Sequence, residues 1–166
     1  SKGLPDEGNK LLITTGSLQA ISIITQEFVN EGDVVLAENP SFVGALSVFE
    51  TYGAEVHAIP IDEHGIRVES LIKKIESLDK KPKLLYLMPN FHNPAGVSYS
   101  LQRRKDLLKA LHGRGIVVLE DDAYSDLYFN PEDSALTKPL KAHVGYDVDI
   151  IYTGSFSKVL GPGFRL

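Results

Sequence analysis

Cysteine is absent from the 166 residues. Disulfides, thiolate catalysis and cysteine-ligated zinc are therefore excluded. No apolar run reaches the length of a membrane span. The opening residues, SKGLPDEGNK, hold no apolar core of a secretory signal. Excess positive charge is lacking too. The formal net charge is -5, which gives no electrostatic reason to expect nucleic acid or an anionic membrane as a partner. A cytoplasmic enzyme is the default expectation. The rest is ordinary globular composition, 43% hydrophobic and 23% charged, enough for one core.

The stretch Tyr152 to Leu166, YTGSFSKVLGPGFRL, organises the chain. A short apolar run before it reads as a strand. A Gly/Ser turn with Ser155 and Ser157 follows, then Lys158, a Gly-Pro-Gly turn and Arg165. A lysine amine can bond an aldehyde cofactor covalently. Two hydroxyls and a guanidinium can hold a phosphate dianion. That set suits pyridoxal phosphate (PLP). Taken alone, the stretch fits a phosphate-free turn with a surface lysine equally well.

Upstream, strands and helices alternate. Lys10 to Thr15 reads as a strand, and about Leu18 to Asn30 as a helix with Ile21, Ile24 and Phe28 as its apolar stripe. Val34 to Ala37 reads as a buried strand, and Ser41 as the cap of a helix over Phe42 to Tyr52. A strand follows over Ala54 to Ile59, then a loop from Pro60 to Arg67 and an amphipathic helix over Val68 to Leu78. Leu84 to Met88 is an apolar strand, and Pro89 to Val97 (PNFHNPAGV) a rigid loop. Ser100 caps a helix to about His112, with basic residues outward. Ile116 to Leu119 is apolar and ends at Glu120-Asp121-Asp122. Phe129 to Gly145 is irregular, and Val148 to Tyr152 is the last clear strand. Apolar strands alternating with helices imply an α/β fold, a mostly parallel sheet covered on both faces.

In such sheets ligands sit beyond the C-terminal strand ends. The polar and Gly/Pro-rich segments fall there. Gly16, Ser17 and Leu18 open a helix whose amides can hold a phosphate, or form a plain helix start. Phe42 can stack on a pyridine ring or pack in the core. Asn93 can aim its amide at a cofactor hydroxyl or a substrate carboxylate, or serve an Asx turn. His92 reads as a loop histidine, and no residues at familiar spacing support a metal. Of the three acids, one facing the site could protonate a pyridine nitrogen. A metal site or a solvated strand end are the alternatives. Tyr124 could donate to the ring oxygen or be a structural tyrosine.

The stretches ITTGSLQA, ENPSFVGAL, PNFHNPAGVS, VVLEDDAYSDLYF and YTGSFSKVLGPGFRL together resemble the large-domain core of fold-type I PLP enzymes, the class I/II aminotransferases. The resemblance is strongest to the branch of 2-aminoadipate, aromatic and multi-substrate aminotransferases. It extends to the aminotransferase-like domain of MocR-type regulators, where a winged-helix domain binds DNA. It implies a three-layer α-β-α sandwich with a mostly parallel mixed sheet. It also implies that residues 1-166 are a partial large domain, without the N-terminal segment and C-terminal small domain of a longer chain. The strand expected after Arg165 would lie between the first and last strands, so an interrupted sheet is expected.

By the same resemblance Lys158 is the Schiff-base lysine and Asp121 pairs with the pyridine nitrogen. Tyr124 and Asn93 bond the ring oxygen, Asn93 also reaching the substrate carboxylate, and Phe42 stacks. Gly16, Ser17, Leu18, Ser155, Ser157 and Arg165 cradle the phosphate. Leu18 departs from relatives that carry Gln or Thr, which leaves only its backbone N–H. The implied reaction is transamination between an amino acid and a 2-oxo acid, in a homodimer when full length. Decarboxylase or beta-lyase chemistry and a regulator's sensor domain are the competing readings.

Overall fold

The computed structural model describes residues 2–4, 10–130, 137–143 and 145–164. The elements run α1 (Ser17–Phe28), β1 (Val34–Asn39), α2 (Val43–Thr51), β2 (Glu55–Asp62), β3 (Gly65–Ile66), α3 (Val68–Ser77), β4 (Leu84–Leu87), α4 (Leu101–Leu111), β5 (Val117–Asp122) and β6 (Ile150–Gly154). The six strands form one sheet in the order β3-β2-β1-β4-β5-β6. All neighbours are parallel except β2 and β3, which form an antiparallel hairpin.

The strands are apolar on both faces because both are covered. Side chains alternate along a strand, so each strand feeds two cores. Val35, Ala37, Leu84, Tyr86 and Leu119 pack with Ile21 and Ile24 of α1 and Ala45 and Phe49 of α2. Val34, Leu36, Leu85, Leu87, Val118 and Ile150 pack with Leu71 of α3 and Leu107, Leu108 and Leu111 of α4. The result is a three-layer α-β-α sandwich. The chain leaves β1 toward β2 through α2 on one face. It returns from the hairpin through α3, and goes on from β4 through α4, on the other face. Right-handed crossovers require that change of face when the direction along the sheet reverses. The two directions part between β1 and β4, so a crevice opens beyond their C-terminal ends.

Several expectations need correction. Residues 10–15 form no strand. Leu11, Leu12 and Ile13 are largely exposed, and the segment stands off β6 across a groove of about 530 Å³. A strand requires a ladder with a neighbouring strand, and residues 10–15 join none of the six strands of the described sheet. The gap expected between this first segment and the last strand is where the groove lies, while the sheet is continuous from β3 to β6. Ser41 does not cap α2. The N-cap is Phe42, one residue later, and Ser41 Oγ is buried without a hydrogen bond among the described residues. Phe28 is partly exposed, while Ile21, Ile24 and Thr25 form the buried stripe of α1. The 60–67 loop is partly strand. Gly65, at φ 106°, turns the hairpin, and the Tyr99 ring lies 2.2 Å from where a Cβ would stand. The acids end the strand from within it, as its last three residues. Ser100 does cap α4, its Oγ accepting the Arg103 N–H at 3.1 Å. Arg104, expected to point outward, is fully buried. Within the irregular 129–145 stretch, residues 131–136 and 144 lie outside the described residues.

Candidate functional site

Strand geometry sorts the three acids. Asp121 shares the parity of Leu119 and faces the α1/α2 layer. There it accepts the Tyr86 O–H at 2.8 Å and lies 3.4 Å from the Thr153 hydroxyl. Glu120 and Asp122 face the opposite layer. Glu120 accepts the backbone N–H groups of Leu140 and Lys141. Asp122 accepts from Asn90, Ser125 and the Tyr152 phenol. Lys2 also pairs with it at 3.2 Å. Split between two faces, the acids do not converge as metal ligands. No group of three His, Cys, Asp or Glu could hold a metal among the described residues.

Burial dominates the protonation of two of these acids. Desolvation raises Asp121 to about 6, opposed by hydrogen bonds from Tyr86 and Thr153. It raises Glu120 to about 7, opposed by the two backbone amides. Burial and the neighbouring Asp121 push the Tyr86 phenol far above its usual range, so Tyr86 stays a donor.

β6 leads directly into the Gly/Ser turn. Ser155 Oγ accepts the Ser157 N–H at 3.1 Å. Lys158 is exposed, and its Nζ stands 5.8 Å from the centre of the Tyr124 ring, within cation–π range. Gly154 and Ser155 border the same groove as Thr14 and Ala20, which brackets the start of α1. Gly16 caps that helix at φ 96° and offers no capping side chain. The first-turn amides have no intrahelical partner by helix geometry and are the kind of group that can receive an anion. Ser17 is half-buried there and Leu18 is exposed. Arg165 lies outside the described residues.

Phe42 and Asn93 stand on the loops flanking the β1/β4 crevice. Phe42 packs partly against the α1/α2 core. Its ring lies over Gly44, where a Cβ would come within 2.5 Å of it. Asn93 is half-buried before a cis peptide to Pro94. His92 beside it is no solvent-facing loop residue but is 1% exposed.

Sequence reasoning missed three supporting residues. Tyr86 and Thr153 hold Asp121, and their signal was parity. Each lies on a strand beside β5, on the face that Asp121 shares. Arg104 gave no such signal, because its neighbours on α4 are basic surface residues. Its guanidinium donates to the carbonyls of Tyr99, Lys138 and Pro89 and to Asn90 Oδ1. It thus ties the 89–99 loop to the segment before Leu140. Burial lowers its pKa, opposed by the Glu120 and Asp122 carboxylates. Arg104→Met should destabilise the protein by roughly 3–5 kcal/mol, because buried acceptors lose a charged donor. Urea unfolding checks this, and a loss below about 1 kcal/mol would contradict it.

The site therefore offers an amine beside a phenol ring, a buried carboxylate, several hydroxyls and an open helix N-terminus. That donor set fits a phosphorylated aromatic aldehyde. The whole chain, residues 1–166, matches the family model for aminotransferase class I and II. It is 41% identical over 157 residues to 2-aminoadipate transaminase of Thermus thermophilus, covering 95% of this chain and 39% of that protein. It is 35% identical over 159 residues to an uncharacterized HTH-type transcriptional regulator of Bacillus subtilis, covering 94% of this chain and 31% of that one. The fold matches the crystal structure of Pyrococcus horikoshii kynurenine aminotransferase in complex with PMP, with a TM-score of 0.87 and 39% identity. That match covers 99% of this chain and 40% of the other. The chain thus spans less than two fifths of either of these two curated relatives. With motif, fold and family model in agreement over its full length, it belongs to the class I and II aminotransferase family.

Proposed function

We propose that the whole protein is a PLP-dependent transaminase. It moves an amino group between an L-amino acid and a 2-oxo acid, with 2-oxoglutarate as the expected acceptor. The observation that carries this reading is the placement of Asp121. It alone of the three acids faces the layer where α1 begins. When bound, PLP supplies an aldehyde for the substrate amine and a ring that draws electrons from its alpha carbon.

The chain's own residues divide the remaining work. Lys158 would hold the cofactor covalently, and its amine is the group that would carry the proton from the alpha carbon. Asp121 keeps the pyridine nitrogen protonated. Asn93 and Tyr124 donate to the ring oxygen, and Asn93 also meets the substrate carboxylate. Phe42 covers one ring face. Gly16, Ser17, Leu18, Ser155, Ser157 and Arg165 hold the phosphate, Leu18 through its backbone alone. The chain forms part of a large domain, in a cytoplasmic homodimer.

A screen of 2-aminoadipate, kynurenine and aromatic amino donors with 2-oxoglutarate tests the reading. Glutamate should form with at least one donor in the PLP-loaded whole protein. The similarity to the Bacillus subtilis regulator supports a second reading, a PLP-binding sensor beside a DNA-binding domain. PLP uptake without glutamate from any donor, in a gene with a winged-helix segment, would favour it.

A further inference from the structure

Beneath the crevice between β1 and β4 lies a buried polar cluster that the proposed reaction does not use. Glu38 is next to last in β1 and 2% exposed, and Tyr99 is fully buried. The Glu38 carboxylate accepts the Met88 N–H at 2.7 Å and the Tyr99 O–H at 2.5 Å. His92 Nε2 faces Glu38 Oε2 at 3.3 Å, an ion-pair distance without hydrogen-bond alignment. The other ring nitrogen, Nδ1, accepts the Ala95 N–H at 3.3 Å. The backbone of His92 closes the same turn twice. Its N–H donates to Val97 O at 2.8 Å, and its carbonyl accepts the Gly96 N–H at 2.6 Å.

Asn93 sits inside this turn, directly after His92. We propose that Glu38 and His92 form a positioning pair that fixes Asn93 at the crevice, with His92 neutral and its proton on Nε2. The tautomer follows from the donors. A neutral imidazole has one donor and one acceptor, and Nδ1 is already an acceptor for Ala95. The proton then sits on the nitrogen that lies 3.3 Å from the Glu38 carboxylate, close enough to pair though not aligned as a hydrogen bond. Glu38 is fixed in turn by Met88 and Tyr99, and Tyr99 is lodged over the missing side chain of Gly65. The chain of contacts runs from the β2–β3 hairpin through Glu38 to the loop that carries Asn93. The Glu38 carboxylate thus braces the loop after β4 from both of its ends, at Met88 and Tyr99, and faces His92 within it. The effect on cofactor rests on the proposed function, while the tautomer and the loop do not.

Two arms test the pair. The first uses the protein before PLP is added. Nitrogen NMR should find His92 protonated at Nε2 and not at Nδ1. The Asn93 side-chain amide should be ordered in the wild type and in His92→Gln, which keeps a donor and an acceptor, and disordered in His92→Leu. Protonation at Nδ1, or an equally ordered Asn93 in His92→Leu, overturns the inference whatever the cofactor does. The second arm follows the visible band of the PLP-loaded protein against pH. His92→Leu and Glu38→Gln should each raise its midpoint by roughly one pH unit, because a hydrogen bond to the charged ring oxygen is lost. They should weaken PLP binding about tenfold. Their double variant should show no further change, and neither should His92→Leu added to Asn93→Ala. An equal shift on the Asn93→Ala background would place the effect elsewhere and contradict the pair. A wild type that takes up no PLP would overturn the proposed function, and the first arm would still decide this inference.

Discussion

Asp121→Asn should leave PLP bound and lower turnover by about 10²–10³-fold. Losing a fixed charge that stabilises the reacting state has that effect in other enzymes. The reason is local. The amide keeps the shape of the carboxylate and can still accept the Tyr86 O–H. It cannot hold a proton on a ring nitrogen. Asp122→Asn should act differently. Asp122 is bound by Asn90, Ser125 and Tyr152 on the far face, so its loss weakens the fold rather than the chemistry. Equal loss of turnover from Asp122→Asn, with Asp121→Asn harmless, would reverse the assignment.

The same variant should be more stable than wild type before PLP is added. The folded protein holds the Asp121 proton up to about pH 6, whereas an unfolded aspartate releases it near 3.8. Between those values the folded state binds more protons, so this group's ionisation removes stability as pH rises. The loss begins near pH 4 and is complete above about pH 6. The difference between these two values corresponds to roughly 1–3 kcal/mol. Asp121→Asn should recover that amount at pH 8 and nothing at pH 3.5. Urea unfolding at both values checks it. A variant less stable than wild type at pH 8 would show that the carboxylate is better satisfied than its burial indicates. Loss of function with gain of stability would mark Asp121 as a group kept for its charge.

Much of this was legible in the sequence because it depends on periodicity. The apolar runs of β1, β4 and β5 predict strands covered on both faces, and both faces are covered. The placement of polar segments at the C-terminal strand ends follows from α/β topology. Strand alternation showed that the three acids must point to different faces, and the family resemblance, not the alternation, singled out Asp121. What the sequence left hidden depends on contacts between distant elements. KLLITT has a strand's composition, but pairing needs a neighbour, and β6 does not reach it. Arg104 reads as one of several basic residues on α4, yet its guanidinium is consumed by backbone carbonyls of two loops. His92 reads as a loop histidine because nothing near it in sequence shows that Glu38, 54 positions earlier, lies opposite. The Ser41 cap failed by one residue, within the ordinary uncertainty of helix starts.

Lys158 carries the largest expected effect. It follows the turn at the end of β6, beside the Tyr124 ring. Other lysines stand in different settings. Lys80 bonds the Gly32 carbonyl, and Lys73 and Lys81 lie exposed on α3 and on the link after it. Lys158→Ala should lower transamination by about 10⁴-fold or more, since one amine serves as covalent anchor and as proton carrier. PLP should still bind without the covalent bond, because the phosphate and ring contacts remain.

Borohydride reduction of the PLP-loaded whole protein, followed by peptide mapping, measures this directly. A phosphopyridoxyl label should appear on the peptide that contains Lys158 and vanish in Lys158→Ala. A label on any other lysine, or none in a folded protein supplied with PLP, would contradict the account.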